Sequence, residues 1–378
     1  MKNYRYINNS KYNLLIFLIG LLIVTGCKDD DPSILSAGNK IITFKLTVVS
    51  NSILEQDIEM EIDQFNRTIS ATVPGGLMNA DFKPTISISA DASIFPANET
   101  LQNFSSPVIY TVTAQDGSEQ LYKVSINPVP DREILITFFN ANRYNTLQWD
   151  LQDETMDSWI GVTHSQGKVT GLDLHNKHID IIPSSFSGLI NLTSLDLSNN
   201  TTLSDLREIG NLTNLVRLDI SHNNLTSIPN EIGNLKELGL LFINNNKLTS
   251  IPSEIGNLSS LRYLDLSKNA ITDIPEELFK TKNIYRLDLE FNQITSIPKE
   301  IGNVEPAYNS SGYLRDLNLG DNKLTSIPSE ISNIRTMRSL YLYRNNLTSI
   351  PQSICDRYLY GSVGRRLIIH KEDEVLCE

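Results

Sequence analysis

Apolar residues along this chain follow three different spacings. From Leu14 to Val24, "LLIFLIGLLIV" runs for eleven residues without a charged or polar side chain. That is short for a bilayer-spanning helix and the right size for the apolar core of a secretory signal. From about Ser33 to Pro128, apolar and polar positions alternate with period two and Ile, Val, Thr and Ser predominate, which predicts half-buried strands. Strands are expected from Lys40 to Val49, Arg67 to Val73 and Thr85 to Ala90, and a hairpin from Val108 to Ile126 turning at Asp116-Gly117. Beyond Asp131 a longer period takes over. Segments of the form L-x-x-L-x-L-x-x-N start at Val169, Leu192, Leu215, Leu238, Leu261, Ile284, Leu314 and Met337, with Lys177 in the Asn place of the first. Their spacing is 23 residues, except 30 between the sixth and seventh, and predicts a solenoid of about eight stacked coils.

Each recurring letter has a physical reason. Apolar residues at the first, fourth and sixth places stack on their equivalents in neighbouring coils. An amide at the ninth place, as in Asn200, Asn223, Asn246, Asn269, Asn292, Asn322 and Asn345, can satisfy backbone groups where the chain leaves the strand. Pro229, Pro252, Pro275, Pro298, Pro328 and Pro351 fix φ and remove a donor on the return, keeping a long helix from forming there. The pattern is that of the leucine-rich repeat, and "LTSIPSEIGNL" (Leu248 to Leu258) resembles the bacterial and plant-like families with short repeats. The fold class expected is mainly β with an α/β-type solenoid, the repeat arc preceded by an immunoglobulin-like β-sandwich of about a hundred residues. The ending "YTVTAQDGSEQLYKVSI" is similar to that of small sandwich domains near the membrane end of Bacteroidota surface lipoproteins, some of which bind glycans. A stalk that holds the next domain off the membrane is the plainer expectation for it.

A solenoid needs closed ends. Asp131 is placed to cap a helix through about Asn142 whose Ile134, Leu135, Phe138 and Phe139 share a face. The following stretch, Trp149 to Leu174, resembles the amino-terminal cap of plant-type leucine-rich receptors, with Asp157 and His164 where that family has its cap cysteines. The departure excludes a disulfide there and leaves closure to Trp149 and Trp159. At the other end, Cys355 and Cys377 read as one disulfide or as two free thiols.

By its residues alone Cys27 is a core residue, a redox thiol or a processing signal. Lys2, Arg5 and Lys11 precede the apolar run, and Val24-Thr25-Gly26-Cys27 resembles the lipobox of bacterial lipoproteins, which implies cleavage before Cys27 and acyl chains on it. The tract Lys28-Asp29-Asp30-Asp31 looks like the export signal of Bacteroidota lipoproteins, implying outward display on the outer membrane; otherwise it is a solvated tether. The expected organisation is a signal peptide (1–26), lipidated cysteine and acidic tether (27–32), sandwich (33–128), solenoid cap (131–168), repeats (169–354) and carboxyl-terminal cap (355–378). The formal charge of −12 falls to −15 once Lys2, Arg5 and Lys11 are removed, and no basic stripe is present, which argues against a nucleic-acid partner.

In the repeat register the third, fifth, seventh and eighth places face outward from the concave sheet. The fifth place is mostly aspartate, expected to be solvated. Departures from that pattern, Phe242, Tyr263, Arg286, Phe291, Tyr341, Tyr343 and Arg344, put aromatic and guanidinium groups on one open surface, the types that dominate interface energetics. At a strand spacing of about 4.8 Å, registers four to eight span roughly 20 Å. That length suits a peptide, a protein edge or an oligosaccharide. His175 and His178, three apart near Asp173, are separated by the register and make a poor metal site. No Gly-rich phosphate loop, G-x-S-x-G elbow or catalytic pairing for His164, His222 or His370 is evident. No cofactor is therefore expected. The seven extra residues in "IGNVEPAYNSSGYLRDL" are an edge loop, a binding element or a tolerated insertion. The expected function is a non-enzymatic surface protein that recognises a protein or peptide through the concave face. Glycan capture for nutrient uptake and a passive adhesive role are the alternatives.

Overall fold

The computed structural model describes residues 36–54, 56–73, 77–281, 283–303, 314–360 and 367–378. The signal run, Cys27 and the acidic tract lie outside the described residues, as do residues 304–313 of the insertion. Among the described residues no helix is long and apolar enough to cross a membrane.

The alternating region folds as strands β1 (Ile41–Leu46), β2 (Ile58–Glu59), β3 (Glu61–Asp63), β4 (Thr68–Val73), β5 (Asp81–Phe82), β6 (Thr85–Ile88), β7 (Ser93–Phe95), β8 (Gln102–Asn103), β9 (Val108–Thr113) and β10 (Glu119–Pro128). They form a sheet ordered β2-β1-β6, a second ordered β3-β4-β10-β9-β7, and the pair β5-β8. Phe44 and Leu46 of the first sheet pack with Ile69, Tyr110, Val112 and Tyr122 of the second in one core. Strict alternation breaks at Ile42, which is exposed because the β1·β6 register shifts between Ile41 and Thr43. The β9–β10 hairpin forms as expected, but not through a tight two-residue turn. Residues 114–118 connect the strands, only Gly117 has positive φ (83°), and the Asp116 carboxylate accepts from the Ser118 amide and hydroxyl.

Helix α1 (Asp131–Ala141) begins at Asp131, yet Asp131 is not its cap: Pro130 holds that position and makes no side-chain hydrogen bond. The buried Asp131 carboxylate instead accepts from the Val169 amide at 2.7 Å, 3.7 Å from Lys168 Nζ, and so ties the helix to the first coil. The Trp149 and Trp159 rings stack 4.8 Å apart at 7°, each indole N–H donating to a backbone carbonyl. Asp157 and His164 meet as a side-chain pair at 3.2 Å.

The solenoid has one ten-stranded sheet. Strand β11 (Val162–Ser165) pairs antiparallel with β12 (Lys168–Asp173). Then β13 (Ser194–Asp196), β14 (Arg217–Asp219), β15 (Leu240–Phe242), β16 (Tyr263–Asp265), β17 (Arg286–Asp288), β18 (Asp316–Asn318) and β19 (Ser339–Tyr341) follow in parallel. The register stays constant across the insertion, with Arg286 opposite Asp316. Between strands the chain returns through five-residue 3₁₀ turns, for example Asn230–Asn234 after Pro229 and Ser253–Asn257 after Pro252. Pro351 is the exception: a helix, α2 (Gln352–Tyr360), follows it, because a proline at a helix start forfeits no hydrogen bond.

Along the asparagine column Asn200, Asn223, Asn246, Asn292 and Asn322 are buried and Asn269 and Asn345 half-buried, and their amides meet backbone groups as expected. In Asn246, Nδ2 donates to the Ile220 and Ile243 carbonyls at 2.9 and 3.0 Å, and Oδ1 accepts from the Leu225 amide at 3.0 Å. At the carboxyl end the sheet runs one strand further than the eight repeats. Strand β21 (Ile368–His370) pairs in parallel with β19, while β20 (Ser349–Ile350) pairs with β22 (Leu376–Cys377) and a disulfide joins Cys355 to Cys377.

The bridge closes a loop with a sequence separation of 22 residues. Replacing both cysteines by serine is expected to destabilise the protein by about 3 kcal/mol, from the loop entropy returned to the unfolded chain. Denaturant unfolding measures the loss, and hydrogen exchange should rise first in β21 and β22.

Candidate binding site on the concave sheet

Third- and fifth-place side chains of β12 to β19 share the concave face, because a strand projects alternate residues to one side. Four of them form a row across adjacent strands. The Arg217 guanidinium lies 4.4 Å from the Phe242 ring centroid, Phe242 meets Tyr263 edge to face at 5.0 Å, and the Arg286 guanidinium lies 5.4 Å from the Tyr263 ring. Arg217 also reaches Asp219 at 3.1 Å and Arg286 reaches Asp288 at 3.6 Å. Each guanidinium thus lies between a ring and a carboxylate. Sequence reasoning named Phe242, Tyr263 and Arg286 but missed Arg217. The signal was available, since Arg217 occupies the third place one coil before Phe242.

Tyr341 and Tyr343 belong to a second group, nearer the carboxyl end. Tyr341 stacks on His370 at 4.3 Å and meets Tyr343 edge to face at 6.3 Å. Tyr343 is less available than its pattern implied: its hydroxyl donates to Glu290 at 2.5 Å, two coils away. Its ring covers Gly320, where a Cβ would stand 2.5 Å from the tyrosine ring. Burial, then the bonded Glu290 carboxylate, pushes the Tyr343 phenol up to about 12. Phe291 and Arg344 sit at the turn rather than on the strands. Both take the eighth place, which holds positive φ in every coil, 55° and 52° here. That left-handed conformation is uncommon for bulky side chains. Phe291 is exposed, and Arg344 lies 3.3 Å from Asp321. The seven residues therefore divide into the row, the Tyr341 group and two turn residues.

The aspartates of the fifth place are more structural than a solvated edge. In Asp196, Asp219 and Asp265 one carboxylate oxygen accepts from the amide and hydroxyl of the serine two residues on. Asp288 is buried, and that burial raises its pKa above the ordinary carboxylate value. His175 bonds the Ser198 hydroxyl at 2.8 Å, and among the described residues no group of three His, Cys, Asp or Glu is placed to hold a metal.

A family model described as SGBP, N-terminal matches residues 41–126, and three leucine-rich repeat models match 213–271, 259–301 and 313–334. The chain carries an SGBP-type amino-terminal domain followed by leucine-rich repeats. None of the curated proteins matches it. Among solved structures it is similar to a leucine-rich repeat protein of Leptospira interrogans, with 31% identity over 54% of each chain and a TM-score of 0.46. The Arabidopsis receptor kinase HAESA, solved with the peptide hormone IDA and the co-receptor SERK1, is 29% identical over 59% of this chain and 43% of that one, with a TM-score of 0.49. The chain thus spans about half the length of these structures.

Because Asp288 is protonated more readily folded than unfolded, its burial costs stability as pH rises through the ordinary carboxylate range, and the cost persists above it. Asp288→Asn keeps the acceptor for the Glu290 amide and removes the charge. The variant should melt higher than the parent at pH 7, with the difference vanishing as pH falls below about 4. Thermal melts of both proteins across that range check the sign.

Proposed function

We propose that this chain is a non-enzymatic binding protein that recognises a peptide or protein segment through the concave face of its leucine-rich repeats. The observation that carries the reading is the Arg217-Phe242-Tyr263-Arg286 row, two guanidiniums and two rings packed against one another on four adjacent strands. Partly exposed aromatics and arginines, already ordered, are the groups that supply most binding energy at interfaces. Tyr341, Tyr343, Phe291 and Arg344 extend the proposed surface toward the carboxyl end. Leucine-rich repeat and SGBP modules are typically binding rather than catalytic units, consistent with the reading.

The proposed organisation keeps the divisions 1–26, 27–32, 33–128, 131–168, 169–354 and 355–378. Acylation of Cys27 and an immunoglobulin-like amino-terminal sandwich on an outward-facing outer-membrane lipoprotein belong to the same proposal. The acyl anchor and outward display rest on the Val24-Thr25-Gly26-Cys27 motif and the acidic tract, and the sandwich on the alternating strands of 33–128. The SGBP match over 41–126 favours a second reading, glycan binding by the amino-terminal domain at the cell surface. Its five-stranded sheet also exposes Phe95, Ile109 and Leu121, with Phe95 and Leu121 both opposite Thr111.

The test uses the soluble chain from Lys28 to Glu378 and its Phe242→Ala/Tyr263→Ala/Arg286→Ala variant, screened against a peptide library, host-protein extracellular domains and a glycan array. Peptide or protein binding that weakens at least about tenfold in the folded variant supports the concave site; three hot-spot truncations cost that much or more. Binding unchanged in the variant would overturn it, and glycan binding retained by the variant would favour the amino-terminal domain.

A further inference from the structure

The concave face is hollowed at its amino-terminal end. Third-place side chains grow from nothing at Gly171 and a hydroxyl at Ser194 to the guanidinium of Arg217, while the places beyond hold Leu240, Tyr263 and Arg286. The small residues leave a cavity of about 600 Å³, walled on one side by Gly161 and Thr163 at the closing strand and on the other by Arg217. The missing bulk at Gly161 is required by the cap. Its φ is 88°, and a Cβ there would stand 2.3 Å from the Asp173 carbonyl oxygen.

The lining supplies both halves of a hydrogen-bonding site. Asp173 and Asp196 stand opposite each other on β12 and β13, each using one carboxylate oxygen to hold the turn that follows. Neither has a cationic partner among the described residues, whereas Asp219 and Asp288 each have an arginine. On the donor side, Ser194 makes no side-chain hydrogen bond among the described residues, and the Arg217 guanidinium borders the same space.

We propose that this hollow receives a primary ammonium group of an extended peptide, its amino terminus or a lysine side chain. Asp173 and Asp196 accept its protons, and Ser194 and Arg217 donate to the adjoining peptide carbonyl. An ammonium carries three donors and no acceptor, so two carboxylates on neighbouring strands, themselves about 4.8 Å apart, and a hydroxyl beside them match a peptide's cationic end. The inference rests on the concave-face reading and adds a direction to it. From β13 to Phe242 on β15 is two strand spacings, about 10 Å, which an extended chain covers in about three residues. A peptide anchored in the hollow therefore lays the side chain about three residues on against Phe242 and Tyr263. Asp173 and Asp196 belong to the fifth-place aspartates that the sequence leads one to expect solvated. Their distinction is the absence of bulk beside them, which no pattern of large residues signals.

The experiment takes the chain from Lys28 to Glu378 and a positional-scanning hexapeptide library with free amino termini, alongside the same library acetylated. Selected peptides are titrated against the parent, Asp173→Asn/Asp196→Asn, Ser194→Tyr and Phe242→Ala/Tyr263→Ala. Asparagine keeps the oxygens that hold the turns, and a tyrosine at the third place already occurs at Tyr263, so both hollow variants are expected to fold. Acetylation, or norleucine for lysine in peptides whose lysine is selected, should weaken binding about tenfold. The Asp173→Asn/Asp196→Asn variant should lose the same factor and show no further loss with the neutral peptide. Equal binding of charged and neutral peptides, or full affinity in both hollow variants while Phe242→Ala/Tyr263→Ala weakens, overturns the inference and leaves the concave reading standing. No peptide binding, or full affinity in Phe242→Ala/Tyr263→Ala, overturns the concave reading as well. Displacement by oligosaccharides that is lost in Asp173→Asn/Asp196→Asn would assign the hollow to a sugar and overturn the ammonium.

Discussion

From the second coil onward the chain turns out of its strand with peptide groups buried, and one asparagine side chain per coil satisfies them. Its amide donates to a carbonyl of its own coil and to one of the coil before, while its oxygen accepts from an amide of that preceding coil, as Asn269 and Asn292 repeat in turn. A buried donor or acceptor left unpaired costs about 1–3 kcal/mol, so each amide sets both the turn within a coil and the offset between coils. The stacked leucines supply the hydrophobic term. They would tolerate small displacements that the hydrogen bonds do not.

With the offset held, the third places can vary in chemistry coil by coil, whereas several fifth-place aspartates hold the turn that follows them. The variation is ordered along the sheet: small residues and unpaired carboxylates at β12 and β13, guanidiniums and rings from β14 to β17, stacked tyrosine and histidine at β19 and β21. Some of it is nonetheless recruited into structure. Tyr343 crosses a coil to bond Glu290, and only a glycine at 320 leaves room for its ring. An exposed aromatic in a repeat pattern is therefore not automatically a free one.

The two ends show different solutions to the same problem. A solenoid sheet has edges that would pair with other chains. At the amino end an antiparallel strand, a stacked tryptophan pair and the Asp131 bond to Val169 close it without a covalent link. At the carboxyl end a further parallel strand and a disulfide do so. The Asp157–His164 contact adds a non-covalent link within that amino-terminal cap.

The repeats, their register and the buried columns were determined by the sequence alone, because eight segments spaced 23 residues apart, with one spacing of 30, leave one arrangement in which leucines stack and asparagines meet backbone. The alternating region was legible as strands for the same reason, a periodic need to bury one face. What only the tertiary structure decided lies where no period operates. Asp131 at a helix start binds a strand instead of capping, "LIIH" near the end becomes a ninth parallel strand, and Arg217 meets the ring of Phe242 one coil on. The hollow beside Asp173 and Asp196 is of the same kind: it exists because neighbouring coils place small residues side by side, a property of contacts between coils that no single repeat contains.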